Sequence, residues 1–205
     1  MCNKGIKMQK RNIELTGKFV ILKEIQPEFF KYIIEWRNNS KLNKFLNQPF
    51  KLTMELEKQW YEEKYLNDIT QGLFVLIDKK NNVPFGTLGY TDYNSKEKIC
   101  VGGRALIGNS NYIGGKEFNE AVILLNDFLY NDLNVEVIYG HIAINNKKII
   151  SWNKKMGFIK NLNNIRFENE LNVNGIKQEE WYRTKSGYEK ARMKIVNLLN
   201  YFKED

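Results

Sequence analysis

The alternation of apolar and polar residues divides the first third of the chain into one strand and two helices. Residues 13–25 alternate as a half-buried strand does. Pro27 suits the first turn of a helix over residues 28–38, because its missing N–H is not needed there. A second helix is expected over residues 53–67, with Thr53 as its N-cap.

The middle of the chain has the pattern of a buried hairpin. Residues 74–77 form a continuous apolar run, which is typical of a central strand. A polar turn at 78–82 leads into a second strand over residues 83–93. Gly86 and Gly89 within that strand predict a bulge or a close backbone approach.

The next stretch alternates between strands and helices. Its pattern predicts a strand over 99–107, a helix over 117–130, a strand over 135–143 and a helix over 147–156. Two adjacent glycines precede the first of these helices. Glycines at this place expose backbone N–H groups beside the positive end of the helix dipole. The sequence therefore predicts a site for a phosphorylated ligand.

The C-terminal region predicts a hairpin and a final helix. Residues 167–173 and 177–183 have strand character and flank an Asn-Gly turn. Residues 186–202 are amphipathic, and either Thr184 or Ser186 would cap this helix. No internal repeat or linker interrupts the chain, so we expect a single domain over residues 1–205.

Composition narrows the class of protein. A chain of 205 residues with 42% hydrophobic residues forms one domain with a real core. We expect residues 1–12 to be frayed and residues 184–205 to form an appended helix. The apolar runs are too short for a bilayer, and the start lacks a secretory signal. Two cysteines and one histidine give neither a disulfide framework nor a zinc site, so a cytoplasmic protein without metal is expected.

The net charge of +8 allows two interpretations. A basic protein of this kind binds RNA or a ribosome surface in some cases. The alternative is a compositional bias toward Lys, Asn and Ile. No Arg-rich or aromatic nucleic-acid motif is present, so the sequence argues against a nucleic-acid partner.

The region after the fourth strand resembles a known family. Residues 112–121 read Tyr-Ile-Gly-Gly-Lys-Glu-Phe-Asn-Glu-Ala, followed by Asn146 and by a Met-Gly-Phe sequence that contains Gly157. This is similar to the cofactor half of the GNAT superfamily of acyl-CoA N-acyltransferases. In the branch that acetylates ribosomal-protein N-termini, the turn reads Tyr-Arg-Gly-Lys-Gly-Tyr-Gly-Thr-Glu-Ala. The spacing from Asn146 to Gly157 matches, while Ile113, Lys116 and Ile149 depart from the family pattern.

The resemblance extends from about residue 13 to a strand near Trp181 and implies a fold. That fold is mixed α+β, with a twisted, mostly antiparallel central sheet of about seven strands flanked by helices. An extra C-terminal helix follows it. Its implied activity is direct transfer of an acetyl group from acetyl-CoA to a primary amine in a ternary complex, and a homodimer is a further expectation.

The resemblance also implies which residues bind the acyl donor. An exposed edge at Ala105, Leu106 and Ile107 would pair with the pantetheine arm, and a backbone N–H there would stabilise the oxyanion. Gly114 and Gly115 would cradle the pyrophosphate.

Three side chains complete the predicted donor site. Lys116 would add a charge, Asn146 would bind the pantetheine or a water, and Trp152 would contact the adenine side. Each has an alternative role. The glycines make an ordinary turn, Lys116 points to solvent, Asn146 only caps a helix, and Trp152 belongs to the core.

Candidates for catalysis are few. His141 is the only histidine, and an imidazole is a suitable general base at neutral pH. Its alternative role is that of a core residue on a buried strand, with a water chain as the base. Asn146 is the second candidate. Asn153 stands where relatives carry an acidic tyrosine, so solvent would protonate the leaving thiolate.

The acceptor side is expected near the first two helices. Trp36 and Arg37 belong to a Trp-Arg-Asn triplet common in this branch, and Arg37 would bind an acceptor carboxylate or phosphate. Arg37 pairs with Glu35 in the alternative interpretation. The helix over 53–68 carries two lysines against five acids, a face that attracts a cationic amine or is merely solvated.

Three functions remain open at this point. The first is acetylation of a protein N-terminus or a small-molecule amine. The second is acetylation of a nucleotide-linked amino sugar or an aminoglycoside. The third is a catalytically inactive GNAT-fold protein that binds CoA or the ribosome. Fold alone does not choose an acceptor.

Overall fold

A computed structural model describes residues 12–46, 48, 50–173 and 175–202. The fraying expected at the N-terminus therefore concerns residues that lie, but for one, outside the described part. The strands are β1 (Glu14–Thr16), β2 (Val20–Glu24), β3 (Gly72–Asp78), β4 (Val83–Asn94), β5 (Ile99–Ile107), β6 (Val137–Ala143), β7 (Ile159–Lys160), β8 (Asn172–Val173) and β9 (Ile176–Thr184). The helices are α1 (Phe30–Asn38), α2 (Met54–Trp60), α3 (Lys116–Asp127), α4 (Lys147–Lys155) and α5 (Lys185–Asn200).

The strands form one mixed sheet in the order β1-β2-β3-β4-β5-β6-β9-β7, with β8 paired to β9. Neighbouring strands are antiparallel except for β5 and β6, which are parallel. A parallel pair needs a crossover connection, and α3 supplies it between β5 and β6. The predicted mixed, mostly antiparallel fold is confirmed. Nine strands are present among the described residues, rather than about seven.

Part of the difference in strand number arises in residues 13–25, which were predicted as one strand and form two, β1 and β2. Residues 13–25 turn back on themselves, and the Gly17 N–H donates to the Val20 carbonyl at 2.8 Å. The Glu120 carboxylate from α3 accepts from the backbone N–H groups of residues 18, 19 and 20 at 2.8, 2.6 and 3.0 Å. A distant side chain thus stabilises the turn, which the local alternation did not reveal.

The predicted C-terminal hairpin is also shorter than expected. Most of residues 167–173 form a 3₁₀ turn, Glu168–Leu171, and only two residues pair with β9. The reason is a competing acceptor. The backbone N–H groups of Arg166 and Phe167 donate to the Glu180 carboxylate at 2.9 Å each, so a side chain replaces the strand ladder there.

The helices agree well with the pattern. Thr53 caps α2 by accepting from the Leu56 N–H at 3.3 Å. Helices α2 and α3 each continue through one π-helical turn, Tyr61–Tyr65 and Phe128–Asp132. Thr184, one of the two predicted caps, accepts from the Gly187 N–H at 3.2 Å at the start of α5.

The sheet has a core on each face. Helix α3 covers one face, and its apolar side chains pack on β2, β3, β4 and β6. Helices α1 and α2 cover the other face, where they pack on β3. Helix α5 joins the α3 face, because the Tyr188 hydroxyl donates to the Ile123 carbonyl at 3.1 Å and Leu199 packs on Phe19. No described helix is both long enough and apolar enough to cross a bilayer.

Candidate functional site

Strands β5 and β6 pair only at their beginnings and then separate. The parallel register covers Ile99–Val101 of β5 against residues 137–139 of β6. Strand β5 nevertheless continues to Ile107, and β6 continues to Ala143. The edge of β5 that faces β6 is therefore unpaired beyond the register. An extended ligand could add to this edge as an extra strand.

A bulge in β5 turns this edge outward. The register with β4 shifts between Thr87 and Gly89, and Arg104 adopts a left-handed backbone with φ of 52°. A non-glycine residue in this conformation marks a special position. The Thr87 hydroxyl donates to the Arg104 carbonyl at 2.9 Å and stabilises the bulge. Beside it, Gly103 and Ala105 are exposed, as expected for the predicted edge.

The turn after β5 is held firmly against β4. The Gly108 N–H donates to the Phe85 carbonyl at 2.8 Å. The Tyr112 ring stacks on the Phe85 ring with centroids 4.2 Å apart, and its hydroxyl donates to Asp78 at 2.7 Å. Burial and this hydrogen bond raise the pKa of Tyr112 to about 12. These contacts fix the position of the glycine turn that follows.

The predicted phosphate cradle is formed by Gly114 and Gly115, directly before α3. Gly114 has φ of 71° and open space where a Cβ would stand, and Gly115 caps α3 without any side-chain hydrogen bond. The Asn119 amide donates to the carbonyls of both glycines, at 3.0 and 2.9 Å. The first backbone N–H groups of α3 have no partner within the helix and face outward. This arrangement suits an anion.

Two charged side chains at this cradle differ from expectation. The Lys116 ammonium lies 4.6 Å from the Phe19 ring centroid and 5.9 Å from that of Phe202. Within the described part of the chain, Lys116 contacts these aromatic rings and makes no hydrogen bond to Gly114 or Gly115. The Glu117 carboxylate lies over Gly115, with Oε2 3.0 Å from the place of a Cβ. Sequence reasoning missed Glu117, although an acid in the first turn of a glycine-capped helix was visible.

The predicted contacts on α4 have local partners. The Asn146 carboxamide oxygen accepts from the Ile149 N–H at 3.4 Å, so Asn146 caps α4. The Trp152 ring lies 5.8 Å from the Phe118 ring and is partly buried. These two rings connect α4 with the first turn of α3. Asn146 and Trp152 are thus close to the cradle side of the sheet rather than to the α1–α2 side.

His141 lies on the opposite face of β6. Ile138 belongs to the core beneath α3, and alternation along the strand directs Tyr139 and His141 toward the other face. The imidazole packs edge-on against Phe167 at 5.7 Å. Its Nε2 lies 3.3 Å from Glu180 Oε2. His141 follows the point where β6 leaves β5, so it stands beside the opening.

Glu180 determines which nitrogen of His141 carries the proton. Glu180 is buried and also accepts from the Asn161 amide at 2.6 Å and from two backbone N–H groups at 2.9 Å. Burial opposes ionisation, but these hydrogen bonds lower the pKa of Glu180 below its usual value. An ionised carboxylate only accepts, so His141 Nε2 is the donor. In the neutral imidazole Nδ1 then carries the lone pair, and it makes no hydrogen bond with a described residue.

The two predicted acceptor residues have different environments. Trp36 is 6% exposed and packs flat on Gly108, where an added Cβ would lie 2.2 Å from the indole. It forms the wall between α1 and the end of β5. Arg37 donates from Nε to the Gln48 side chain at 2.7 Å, and burial lowers its pKa, with Glu57 opposing. Among the described residues, Arg37 makes no hydrogen bond to Glu35.

Glu57 is a site residue that sequence reasoning did not single out. It lies on the inner face of α2 and is 2% exposed. Burial raises its pKa, while the guanidinium groups of Arg37 and Arg104 lower it. The available signal was its spacing, because Trp60 and Tyr61 follow at three and four residues and share its helix face. An acid on an apolar helix face is unusual.

Within the described residues, no group of three His, Cys, Asp or Glu side chains could hold a metal ion. The described residues offer an open strand edge, a helix start without a side-chain cap and a histidine–carboxylate pair. Such an arrangement can hold a phosphorylated ligand on one face and deprotonate a second ligand on the other.

The chain matches the family model described as acetyltransferase (GNAT) domain over residues 20–159. This match covers more than half of the chain, so the chain belongs to that family. None of the curated proteins matches it. The family membership confirms the predicted GNAT fold, the class of N-acetyltransferase and acetyl-CoA as the acyl donor. It does not distinguish the ribosomal-protein branch from others.

Two solved structures are similar to this chain. The apo form of FdhC, a nucleotide-linked sugar GNAT, has a TM-score of 0.71 at 18% identity and covers 92% of this chain and 99% of its own. Spermidine N-acetyltransferase from Vibrio cholerae, in complex with CoA and spermine, has a TM-score of 0.70 at 18% identity and covers 84% and 99%. At this identity the likeness shows the fold and not the acceptor.

Proposed function

We propose that this protein transfers an acetyl group from acetyl-CoA to a primary amine by direct attack of the amine. One observation carries the proposal. The unpaired edge of β5 leads through a fixed turn to the uncapped start of α3. A ligand with an extended amide arm and a diphosphate fits this path, because the strand edge pairs with the amides and the helix start attracts the phosphates.

The donor-binding residues follow from this path. The backbone of Ala105, Leu106 and Ile107 would pair with the pantetheine arm, and Gly114 with Gly115 would hold the pyrophosphate. Acetyl-CoA supplies an activated thioester, and a β5 N–H beside the bulge would polarise its carbonyl. Asn146 and Trp152 would border the donor on the α4 side. Lys116 contributes only if its ammonium leaves the Phe19 ring.

The acceptor amine must lose a proton before it attacks, and His141 is the proposed base. The hydrogen bond that His141 Nε2 donates to Glu180 leaves the lone pair of the neutral imidazole on Nδ1, which supports this role. No comparable observation supports Asn146 as a base. Its carboxamide caps a helix and neither gains nor loses a proton in the accessible pH range. We propose it as a donor contact only.

Two donor-side charges give a direct test. Gly114→Glu places a carboxylate where the diphosphate belongs, so we expect calorimetry to detect no acetyl-CoA binding. Glu117→Gln removes a carboxylate from the same cradle, and we expect binding roughly threefold tighter or more, as helix-terminus charges contribute up to about 1 kcal/mol. Gly175→Glu is the matched control, because Gly175 also has a positive φ and open space.

The control should bind acetyl-CoA like the wild type, since the backbone strain is similar and only the location differs. Equal affinity in Gly114→Glu and wild type would remove the assigned cradle. Thiol release with a panel of amines then tests turnover. The panel includes peptides beginning with Ala or Ser, which test the ribosomal-protein branch, and spermidine. Binding without turnover for every amine would favour the inactive CoA-binding alternative.

A further inference from the structure

Two buried polar atoms on the α1–α2 face have no hydrogen-bond partner among the described residues. One is Oε1 of Glu57, on the inner face of α2. The other is Nη1 of Arg104, at the bulge of β5. A buried polar group without a partner is costly, and native proteins retain few of them. Two such atoms of opposite polarity in one cluster therefore point to a missing ligand group.

The remaining contacts of Arg104 place its guanidinium beside α2. Nη2 donates to the Gln71 side chain, and the guanidinium lies 5.7 Å from the Trp60 ring centroid. Trp60 is one helical turn from Glu57 on the same face of α2. Glu57 makes no ion pair with Arg104 or Arg37, although both guanidinium groups are close enough to act on its pKa.

The position of this pair agrees with the acceptor side of the site. Arg104 directly precedes Ala105, on the strand edge proposed to hold the pantetheine arm. Its side chain projects to the α1–α2 face, as His141 does from β6. A ligand between Arg104 and Glu57 would thus approach the open edge from the face that carries the proposed base.

The chemistry of the two free atoms restricts the ligand group. Glu57 Oε1 accepts a hydrogen bond, and Arg104 Nη1 donates one. A hydroxyl group satisfies both, because it donates and accepts. An ammonium only donates, so a polyamine would leave Arg104 Nη1 unpaired.

We propose that Glu57 and Arg104 bind hydroxyl groups of the acceptor and that the acceptor is an amino sugar. The assignment rests on the proposed function, because it names the acceptor of that reaction. Sugars carry adjacent hydroxyl groups next to the amine, which matches a neighbouring carboxylate and guanidinium that each keep one atom without a partner. Arg37 contributes to the positive potential there and holds any anionic substituent of the sugar.

A matched acceptor panel tests the substrate class. Glucosamine, UDP-linked glucosamine, cyclohexylamine and spermidine are compared by thiol release from acetyl-CoA. We expect kcat/KM for an amino sugar to exceed that for cyclohexylamine, which has the ring and amine but no hydroxyl, by roughly tenfold or more. The free and nucleotide-linked forms separate the two sources of the sugar. Equal or better use of cyclohexylamine or spermidine overturns the proposal.

Variants test the residues. Glu57→Gln should raise KM for the amino sugar roughly tenfold with little change in kcat, while KM for cyclohexylamine and acetyl-CoA affinity stay unchanged. Glu62→Gln is the control, because Glu62 is an exposed acid of the helical turn that continues α2. A merely structural role for Glu57 would affect both acceptors equally. If Glu57→Gln does not fold, Arg104→Lys tests the same contact, because it keeps the positive charge and removes the guanidinium N–H groups.

Calorimetry separates this proposal from the proposed function. Glucosamine is titrated into the wild type and Glu57→Gln in the presence of CoA, so turnover is not needed. Binding to the wild type that weakens in the variant supports the assignment even if no amine is acetylated. Absent binding, or equal binding to both proteins, overturns it even if other amines are acetylated.

Discussion

At the scale of single residues, the His141–Glu180 pair has the most direct consequence for activity. We expect His141→Ala to lower kcat by about 100-fold or more, because general-base catalysis contributes this much. Glu180→Gln should lower kcat less.

The controls for this pair are acetyl-CoA affinity and thermal stability. Acetyl-CoA affinity should remain near wild type in His141→Ala, since the proposed diphosphate site at the start of α3 does not include His141, and a cooperative thermal transition should show that the variant is folded. A variant that keeps most of its turnover would show that His141 is a core residue and that water is the base.

The residues that sequence reasoning found differ in kind from those it missed. Gly114 and Gly115 were visible because a glycine pair before a helix has a local meaning. Asn146 was visible because it precedes a helical pattern. Glu57 and Glu180 depend on partners 47 and 39 positions away in the sequence, Arg104 and His141. Such pairings are set by the tertiary fold, and no local pattern contains them.

At the scale of elements, Arg183 connects β9 with three helices. It is 1% exposed, and it donates to the Asn126 side chain and to the Met156 carbonyl at 2.9 Å. Its guanidinium lies 4.4 Å from the Phe158 ring centroid and 4.7 Å from that of Tyr188. No carboxylate pairs with it among the described residues, so hydrogen bonds and aromatic rings replace a counter-ion.

We expect Arg183→Met to lower the free energy of unfolding by about 3 kcal/mol, because it leaves two buried acceptors without donors. The matched control is Arg192→Met. Arg192 is half-exposed and pairs with Asp127 at 2.7 Å, and its loss should cost about 1 kcal/mol or less. Urea unfolding measures both. A stabilised Arg183→Met would mean that burying the charge costs more than its contacts return.

The elements themselves were largely predictable, and the exceptions have a common cause. Strand β3 and helices α1 and α3 follow from apolar runs and helical spacing. The split of residues 13–25 and the short β8 do not, because carboxylates from elsewhere in the chain bind the backbone there. Glu120 holds the first turn, and Glu180 holds the segment before β8. Local patterns do not report a distant acceptor.

At the scale of the whole molecule, Cys100 of β5 is fully buried in the core beneath α3. Burial raises the pKa of its thiol from 9.0 to about 12; Arg183 opposes this and Asp92 adds to it. The folded protein therefore keeps this proton over a pH range in which the unfolded chain releases it. The pKa of Tyr112 is raised similarly, to about 12.

These shifts predict alkaline destabilisation with a definite sign. Below about pH 9 the thiol is protonated in both states, and its contribution is fully present. Between about pH 9 and 12 the unfolded chain binds fewer protons, so the free energy of unfolding falls as pH rises, by roughly 1.4 kcal/mol per unit for one group. Urea unfolding from pH 8 to 11 should show a shallower fall in Cys100→Ala. Identical slopes in both proteins would mean that the thiol ionises within the folded state, and that the centre of the sheet is open to water.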